Sequence, residues 1–165
     1  MPTHCTLDDE LCTLVPLSQG EYAIINIEDL PLIKSYSPWY MLKPAVNKYA
    51  VTNTYHGSIN GKEVKTHYRM HRLILGLKAG EICDHINGNG LDNRRSNLRK
   101  VTNAQNLWNR NQPAVELMYG KWRARIQVNG KVTRLGKYAT KQEAITAYWK
   151  AAEIMRGPEF CTRKG

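Results

Sequence analysis

Two eight-residue stretches, Lys121–Val128 (KWRARIQV) and Lys131–Tyr138 (KVTRLGKY), flank an Asn-Gly pair and restrict the fold more than any other part of the chain. The first alternates apolar and polar side chains, the pattern of a half-buried strand. Asn129-Gly130 tolerates the positive φ of a two-residue turn and is the strongest short-range hairpin signal. Such a turn sets Val128 opposite Lys131, Ile126 opposite Thr133, Arg125 opposite Arg134 and Ala124 opposite Leu135. One face then carries Trp122, Ala124, Ile126, Val128 and Leu135, and the other Arg123, Arg125, Gln127, Val132 and Arg134. Thr140 is placed to cap a helix from Lys141 to about Arg156, which Gly157-Pro158 ends. Ala144, Tyr148, Ala151 and Met155 form a stripe on it that can cover the apolar face of the hairpin.

The opposite face carries three arginines and no acidic residue, and the charge of the whole chain follows the same trend. Of the net +10, residues 1–83 contribute nothing, with eight Lys/Arg against eight Asp/Glu. Residues 84–113 hold five against two, and residues 114–165 eleven against four. A basic excess confined to part of a chain suits a polyanion. A two-stranded ribbon fits the DNA major groove, and Gln127 is a base-reading type of side chain. Double-stranded DNA is therefore the expected partner. No apolar run approaches the roughly 18 residues of a membrane helix, and the first residues lack a leader pattern. A soluble, cytoplasmic protein with no membrane partner is expected. Cys5, Cys12, Cys83 and Cys161 contain no Cys-x2-Cys pair, so no structural zinc is expected. They read as free thiols, with Cys83 an apolar strand residue rather than a nucleophile.

The chemistry concentrates in residues 82–110, ICDHINGNGLDNRRSNLRKVTNAQNLWNR. The order is strand over 81–85, loop over 87–96, strand over 97–101, then a helix over 103–110 with Thr102 as N-cap. A loop so rich in Asn, Asp and Arg is costly to bury for packing alone, which implies a metal or a phosphate as its partner. Gly88 and Gly90 would permit positive φ and close approach of backbone to a ligand. Phosphodiester hydrolysis needs an activated water, a cation for the developing charge and support for the leaving oxygen. His85 is a candidate base, because an unperturbed imidazole is largely neutral near pH 7. Asp84 is a candidate metal ligand. In an extended segment the two side chains point to opposite sides, so a local twist would be needed to aim both at one reaction. Oxygen donors suit one Mg²⁺ or Mn²⁺, which needs few protein ligands. Asn106, one turn into the helix, is the candidate second ligand.

Ahead of this stretch, residues 1–20 read as weakly ordered. Residues 22–68 read as one small antiparallel sheet, with an Asn60-Gly61 hairpin turn and a short helical turn near Pro31. Residues 70–77 read as a short apolar helix bearing His71, a packing histidine bonded to a backbone carbonyl. His56 and His67 receive no role.

The run MHRLILG…GEICDHINGNGLDNRRSNLRKVTNAQN resembles the core of the HNH (ββα-metal) nucleases, specifically the homing endonucleases of phage type, over about residues 68–110. The resemblance implies that Asp84 binds the metal and that His85 is the general base. It further implies that Asn97 braces the loop and orients the histidine through backbone contact, and that Asn106 completes the metal site. Asn93 competes with Asn97 for the middle role, and Asn97 is preferred because it begins the second strand. Arg94, Arg95 and Arg99 are expected at phosphates. The run GKWRARIQVNGKVTRLGKYATKQEAITAYWKAA resembles the plant ethylene-response (APETALA-type) DNA-binding domain. In that family a three-stranded sheet lies in the major groove with a helix behind it. This resemblance implies base contacts from Arg123, Arg125, Gln127 and Arg134.

The expected fold is α+β: a small antiparallel sheet leading into a ββα-metal core, then a three-stranded antiparallel sheet packed on one helix. The expected domains are residues 1–110 and 115–165, with 111–114 as linker at Pro113. The expected function is metal-dependent DNA cleavage by a homing endonuclease, with a monomer preferred. A non-catalytic DNA-binding regulator and a dimeric restriction-type nuclease are the alternatives.

Overall fold

The computed structural model describes residues 4–42, 47–108 and 113–161. The chain is of mixed α and β structure, with small antiparallel sheets and a few helices, and divides into two compact units, Met1–Lys100 and Val101–Gly165.

The first unit begins with a sheet of β1 (His4–Leu7), β2 (Glu10–Pro16) and β3 (Tyr22–Asn26). Most of the first twenty residues are thus strands rather than weakly ordered chain. Asp8 and Asp9 take φ of 51° and 63° and make the turn, a role for which Asn-Gly is the familiar signal and an acidic pair a poor one. Behind the turn, Cys12, Thr13 and Val15 are buried and anchor β2. A second sheet holds β4 (Tyr40–Leu42), β5 (Tyr49–Ile59) and β6 (Lys62–Arg69). The single sheet expected over 22–68 is therefore two sheets, because β3 pairs back onto β2 and α1 (Leu30–Ser35), with Pro31 in its first turn, leads the chain away. Asn60-Gly61 joins β5 to β6 with both residues at positive φ. Next come α2 (Met70–Ile74) and the two-stranded sheet of β7 (Ile82–His85) and β8 (Leu98–Val101). Ala23, Ile25, Ile33, Trp39, Met70 and Ile74 are among the side chains of the core. Burying each large member stabilises by roughly 1.5–3 kcal/mol. Trp39 satisfies its indole N–H on the Ile33 carbonyl at 2.8 Å.

The second unit contains α3 (Asn103–Trp108), the sheet β9 (Val115–Met118), β10 (Lys121–Val128) and β11 (Lys131–Tyr138), and α4 (Lys141–Arg156). β10 is central and pairs antiparallel with both neighbours. The register from the turn runs as expected to Arg125 opposite Arg134, then shifts at a bulge, so that Ala124 faces Gly136 and not Leu135. A Thr-x-x-Glu capping box starts α4: the Thr140 hydroxyl accepts from the Glu143 N–H at 3.2 Å, and the Glu143 carboxylate accepts from the Thr140 N–H at 3.1 Å. The buried face of α4 is Ala144, Tyr148, Trp149 and Ala152, with Ala151 half-buried and Met155 exposed. The expected stripe is rotated toward Trp149, which offers far more apolar area against Ile126 than Met155 can reach. α3 is tied to this unit: the Trp108 ring meets Phe160 edge-on at 5.7 Å, and the Arg156 guanidinium lies 5.6 Å from its centroid. Residues 109–112, the expected helix end and half of the linker, lie outside the described residues. Among the described residues no helix is long and apolar enough to cross a membrane.

Candidate active site and nucleic-acid interface

β7 delivers Asp84 and His85 as neighbours, and both are buried. Strand alternation sends them to different partners. Both Asp84 carboxylate oxygens accept from Arg99 on β8, from Nε at 2.7 Å and from Nη2 at 3.1 Å. This is a bidentate, charge-assisted pair. His85 turns instead to Asn93, whose Oδ1 lies 3.4 Å from His85 Nε2. Asn93 is fully buried and donates its amide N–H to the Leu91 carbonyl at 3.1 Å. That bond orients the amide oxygen toward the imidazole. An amide oxygen only accepts, so the contact is a hydrogen bond when the ring proton is on Nε2.

Two rings complete the surroundings of His85. His71 on α2 packs against it at 4.9 Å and 82°, and Tyr49 on β5 lies 6.0 Å from His85 and 5.7 Å from His71. His71 is therefore not an ordinary core histidine: it is 5% exposed and its buried Nδ1 has no hydrogen-bond partner among the described residues. Burial, then the neighbouring His85, Arg69 and Arg72, push its pKa down to about 3. It stays neutral and is too weak a base to stand in for His85. Sequence reasoning places neither Tyr49 nor His71 in the site, although the MHRLI run adjoining β6 is the available signal for His71.

The loop between β7 and β8 satisfies its own polarity, so its composition does not by itself demand a ligand. Asn97 ends a 3-10 turn one residue ahead of β8. Its Oδ1 accepts from the Asn87 N–H at 2.9 Å, and its Nδ2 donates to Asn87 Oδ1 at 3.0 Å and to the Asp92 carbonyl at 2.8 Å. Its backbone carbonyl accepts from Ile86 at 2.8 Å. The loop is also stitched to β3, with Ile24 donating to Leu91 at 2.8 Å and Asn93 donating to Ile24 at 2.7 Å.

The glycines divide the work differently than expected. Gly88 takes φ of 79° in the turn after His85. Gly90 has no positive φ; a Cβ there would overlap the Lys48 carbonyl oxygen and come within 2.8 Å of the Tyr49 ring. Its close approach is to β5 and not to a ligand. Gly90→Ala is expected to destabilise the protein by about 1–3 kcal/mol, the usual cost of overpacking, measured as a lowered midpoint in urea. An unchanged midpoint would show that the loop does not rest on residues 48 and 49.

Arg94 is 6% exposed and faces inward. Its guanidinium donates to Asp92 at 2.9 Å from both Nε and Nη2, to Asp8 Oδ2 at 2.8 Å and to the Leu7 carbonyl at 3.2 Å. The geometry gives it a structural use, clamping the loop to the β1–β2 turn, in place of the phosphate contact expected for it. Burial opposes ionisation of Asp92, but the Arg94 hydrogen bonds outweigh it and hold the carboxyl below its usual range. Arg95 is exposed but donates to Asp29 at 3.0 and 2.6 Å. Arg99 faces Asp84. Asn106 is exposed on α3 in the second unit, whereas Asp84, His85, Asn93 and Asn97 belong to the first. Among the described residues no three His, Cys, Asp and Glu side chains gather as a metal cluster. Asp84 supplies carboxylate oxygens, the donor type that Mg²⁺ and Mn²⁺ take. Burial pushes the Cys83 thiol up to about 11, which removes it as a nucleophile.

In the second unit, the open face of the sheet forms a concavity of about 530 Å3 lined by Arg123, Arg125, Arg134, Lys137 and Glu116, among others. Gln127 is exposed on the same strand. Lys137 is an addition that follows from the bulge. An unbroken register would set Gly136 across from Arg123, and the shift puts Lys137 there.

Residues 64–107 match the family model described as HNH endonuclease. A protein of Acanthamoeba polyphaga mimivirus named as an uncharacterized HNH endonuclease is 27% identical over 152 residues, spanning 88% of this chain and 76% of its own. No solved structure matches the chain. The matched segment runs from β6 to α3 and holds Asp84, His85, Asn93, Asn97 and Asn106, so the likeness to HNH endonucleases falls on the residues whose geometry has just been described.

Proposed function

We propose that the protein is a metal-dependent DNA endonuclease of homing type, in which β7, β8 and α3 act together as a ββα-metal motif. The observation that carries this reading is His85, a buried imidazole against the Asn93 amide, next to a buried carboxylate, inside a segment similar to HNH endonucleases. His85 takes a proton from water. The water oxygen forms a new bond to phosphorus, and the bond from phosphorus to the leaving oxygen breaks. Asp84 and Asn106 would hold one divalent cation, Mg²⁺ or Mn²⁺, whose chemistry is to stabilise charge on the phosphate and the leaving oxygen. Asn97 keeps the loop closed through Asn87 and Asp92, so that β7 and β8 stay in place. Asn93 meets the base through its side-chain amide, and Asn97 acts on it through the backbone, its carbonyl accepting from Ile86 beside His85.

The second unit reads the target as an APETALA-type domain. Its concave basic face suits the major groove, with Arg123, Arg125, Gln127, Arg134 and Lys137 toward DNA. Arg95 and Arg99 are the phosphate contacts of the nuclease part, and the protein acts as a monomer. The test is supercoiled plasmid carrying the DNA that flanks the gene, incubated with protein and Mg²⁺ or Mn²⁺. Nicked or linear product is expected. Binding to that DNA with no product under either ion would leave a DNA-binding regulator on a nuclease scaffold.

A further inference from the structure

Asp84 and Arg99 form an ion pair at the centre of the candidate active site, with side chains only 6% and 15% exposed. Two rules of electrostatics act on it. A buried carboxylate left without a positive partner is strongly unfavourable, so Asp84 needs a cation at all times. A guanidinium fork matches a phosphate as well as it matches a carboxylate. A divalent cation that arrives beside Asp84 meets the charge of Arg99, and the repulsion falls away only if Arg99 moves to an anion. The DNA backbone supplies that anion.

We propose that Arg99 is the resident counter-ion of Asp84 and is exchanged on DNA binding, the guanidinium passing to a phosphate as the divalent cation takes the carboxylate. The inference rests on the nuclease reading and adds a regulation to it: the metal site loads together with the substrate. Arg99 is thus a positioning residue, acting on the reaction through Asp84. Its charge balance is complete before and after the exchange, with one positive partner on Asp84 and one negative partner on Arg99 in the loaded state. Coupling of this kind is reciprocal, so the cation tightens DNA binding by the factor with which DNA tightens cation binding.

The experiment is calorimetric titration of Mn²⁺ into the full chain, alone and with a target duplex, every protein (the parent included) carrying His85→Ala so that the duplex stays whole. Parent protein is expected to bind Mn²⁺ at least tenfold more tightly with the duplex than without. Arg99→Gln is expected to bind Mn²⁺ at least tenfold more tightly than the parent in the absence of DNA, and to gain less than threefold from the duplex. Equal Mn²⁺ affinity of parent and variant without DNA overturns the exchange. Should the glutamine variant not fold, Arg99→Lys keeps the charge but makes a one-point contact, and its gain from the duplex is expected to be smaller than the parent's. A gain equal to the parent's overturns the proposal by that route. Mn²⁺ bound by none of these proteins, with or without duplex, would remove the metal role of Asp84 itself, an outcome distinct from loss of the exchange alone.

Discussion

Cleavage by His85→Ala is expected to fall by roughly 10²–10⁴-fold, the range over which a positioned general base acts, while affinity for target DNA stays within about twofold of the parent's, as expected of a side chain with no DNA contact. The asymmetry follows from where His85 lies. Its ring is buried against Asn93, His71 and Tyr49, and the basic sheet face is in the other unit. His71 cannot compensate, because its imidazole is held neutral down to about pH 3 and a base that weak draws a proton from water poorly. Gel-shift affinity and single-turnover cleavage, measured on one preparation, separate the two effects. A variant that cuts at the parent rate would end the assignment of His85 as base. A loss of binding matching the loss of cleavage would instead point to a folding defect.

Removing Arg123, Arg125 and Arg134 together is expected to weaken binding by about 10³-fold or more at low salt, given roughly 1.5–3 kcal/mol for each hydrogen bond to a charged group. The dependence of log affinity on log salt should flatten by about 0.9 for each phosphate no longer neutralised, or about 2.7 if all three arginines reach phosphates. A smaller change in slope with the same loss of affinity would assign part of the trio to base edges. An unchanged slope would place the DNA-binding surface elsewhere. The glutamine triple variant is preferable to alanine, since Arg123 lies 5.8 Å from the Tyr119 ring and its stem packs as well as carrying charge.

Local chemistry is readable from sequence and distant partners are not. Asn129-Gly130 announces its hairpin because turn preference is a property of two residues, and the Thr140–Glu143 cap because it is a property of four. The bulge at Ala124/Arg125 has no such local signature, so the simple register sets Leu135 opposite Ala124 and hides Lys137. The central loop behaves alike. Asp84, His85, Asn97 and Asn106 stand out by type and spacing. What two of the loop's arginines touch depends on chain far away: Arg94 closes on Asp8 across 86 positions, and Arg95 on Asp29 across 66. Two arginines that look like surface charge are thereby tied to acidic groups of the N-terminal sheet region. Those groups also explain why that half of the chain is electrically neutral overall: part of its acid is there to hold the loop's arginines. Strand position points to Asn97 as the brace of the loop, whereas the side-chain contact of Asn93 with His85 depends on the Leu91 carbonyl that orients the Asn93 amide.

The anchoring of α3 by Trp108 bears on how such a chain could have been assembled. The motif that carries similarity to HNH endonucleases ends at residue 107, and Pro113 marks the change in composition, yet the physical seam falls ahead of both, between Lys100 and Val101. A recombination joining a foreign DNA-reading module at Pro113 would bring α3 without Phe160 and Arg156, the residues that hold Trp108. A six-residue helix is far too short to persist by itself. A viable exchange of the segment after Pro113 thus either takes α3 along with it or keeps Phe160 and Arg156 in the incoming piece.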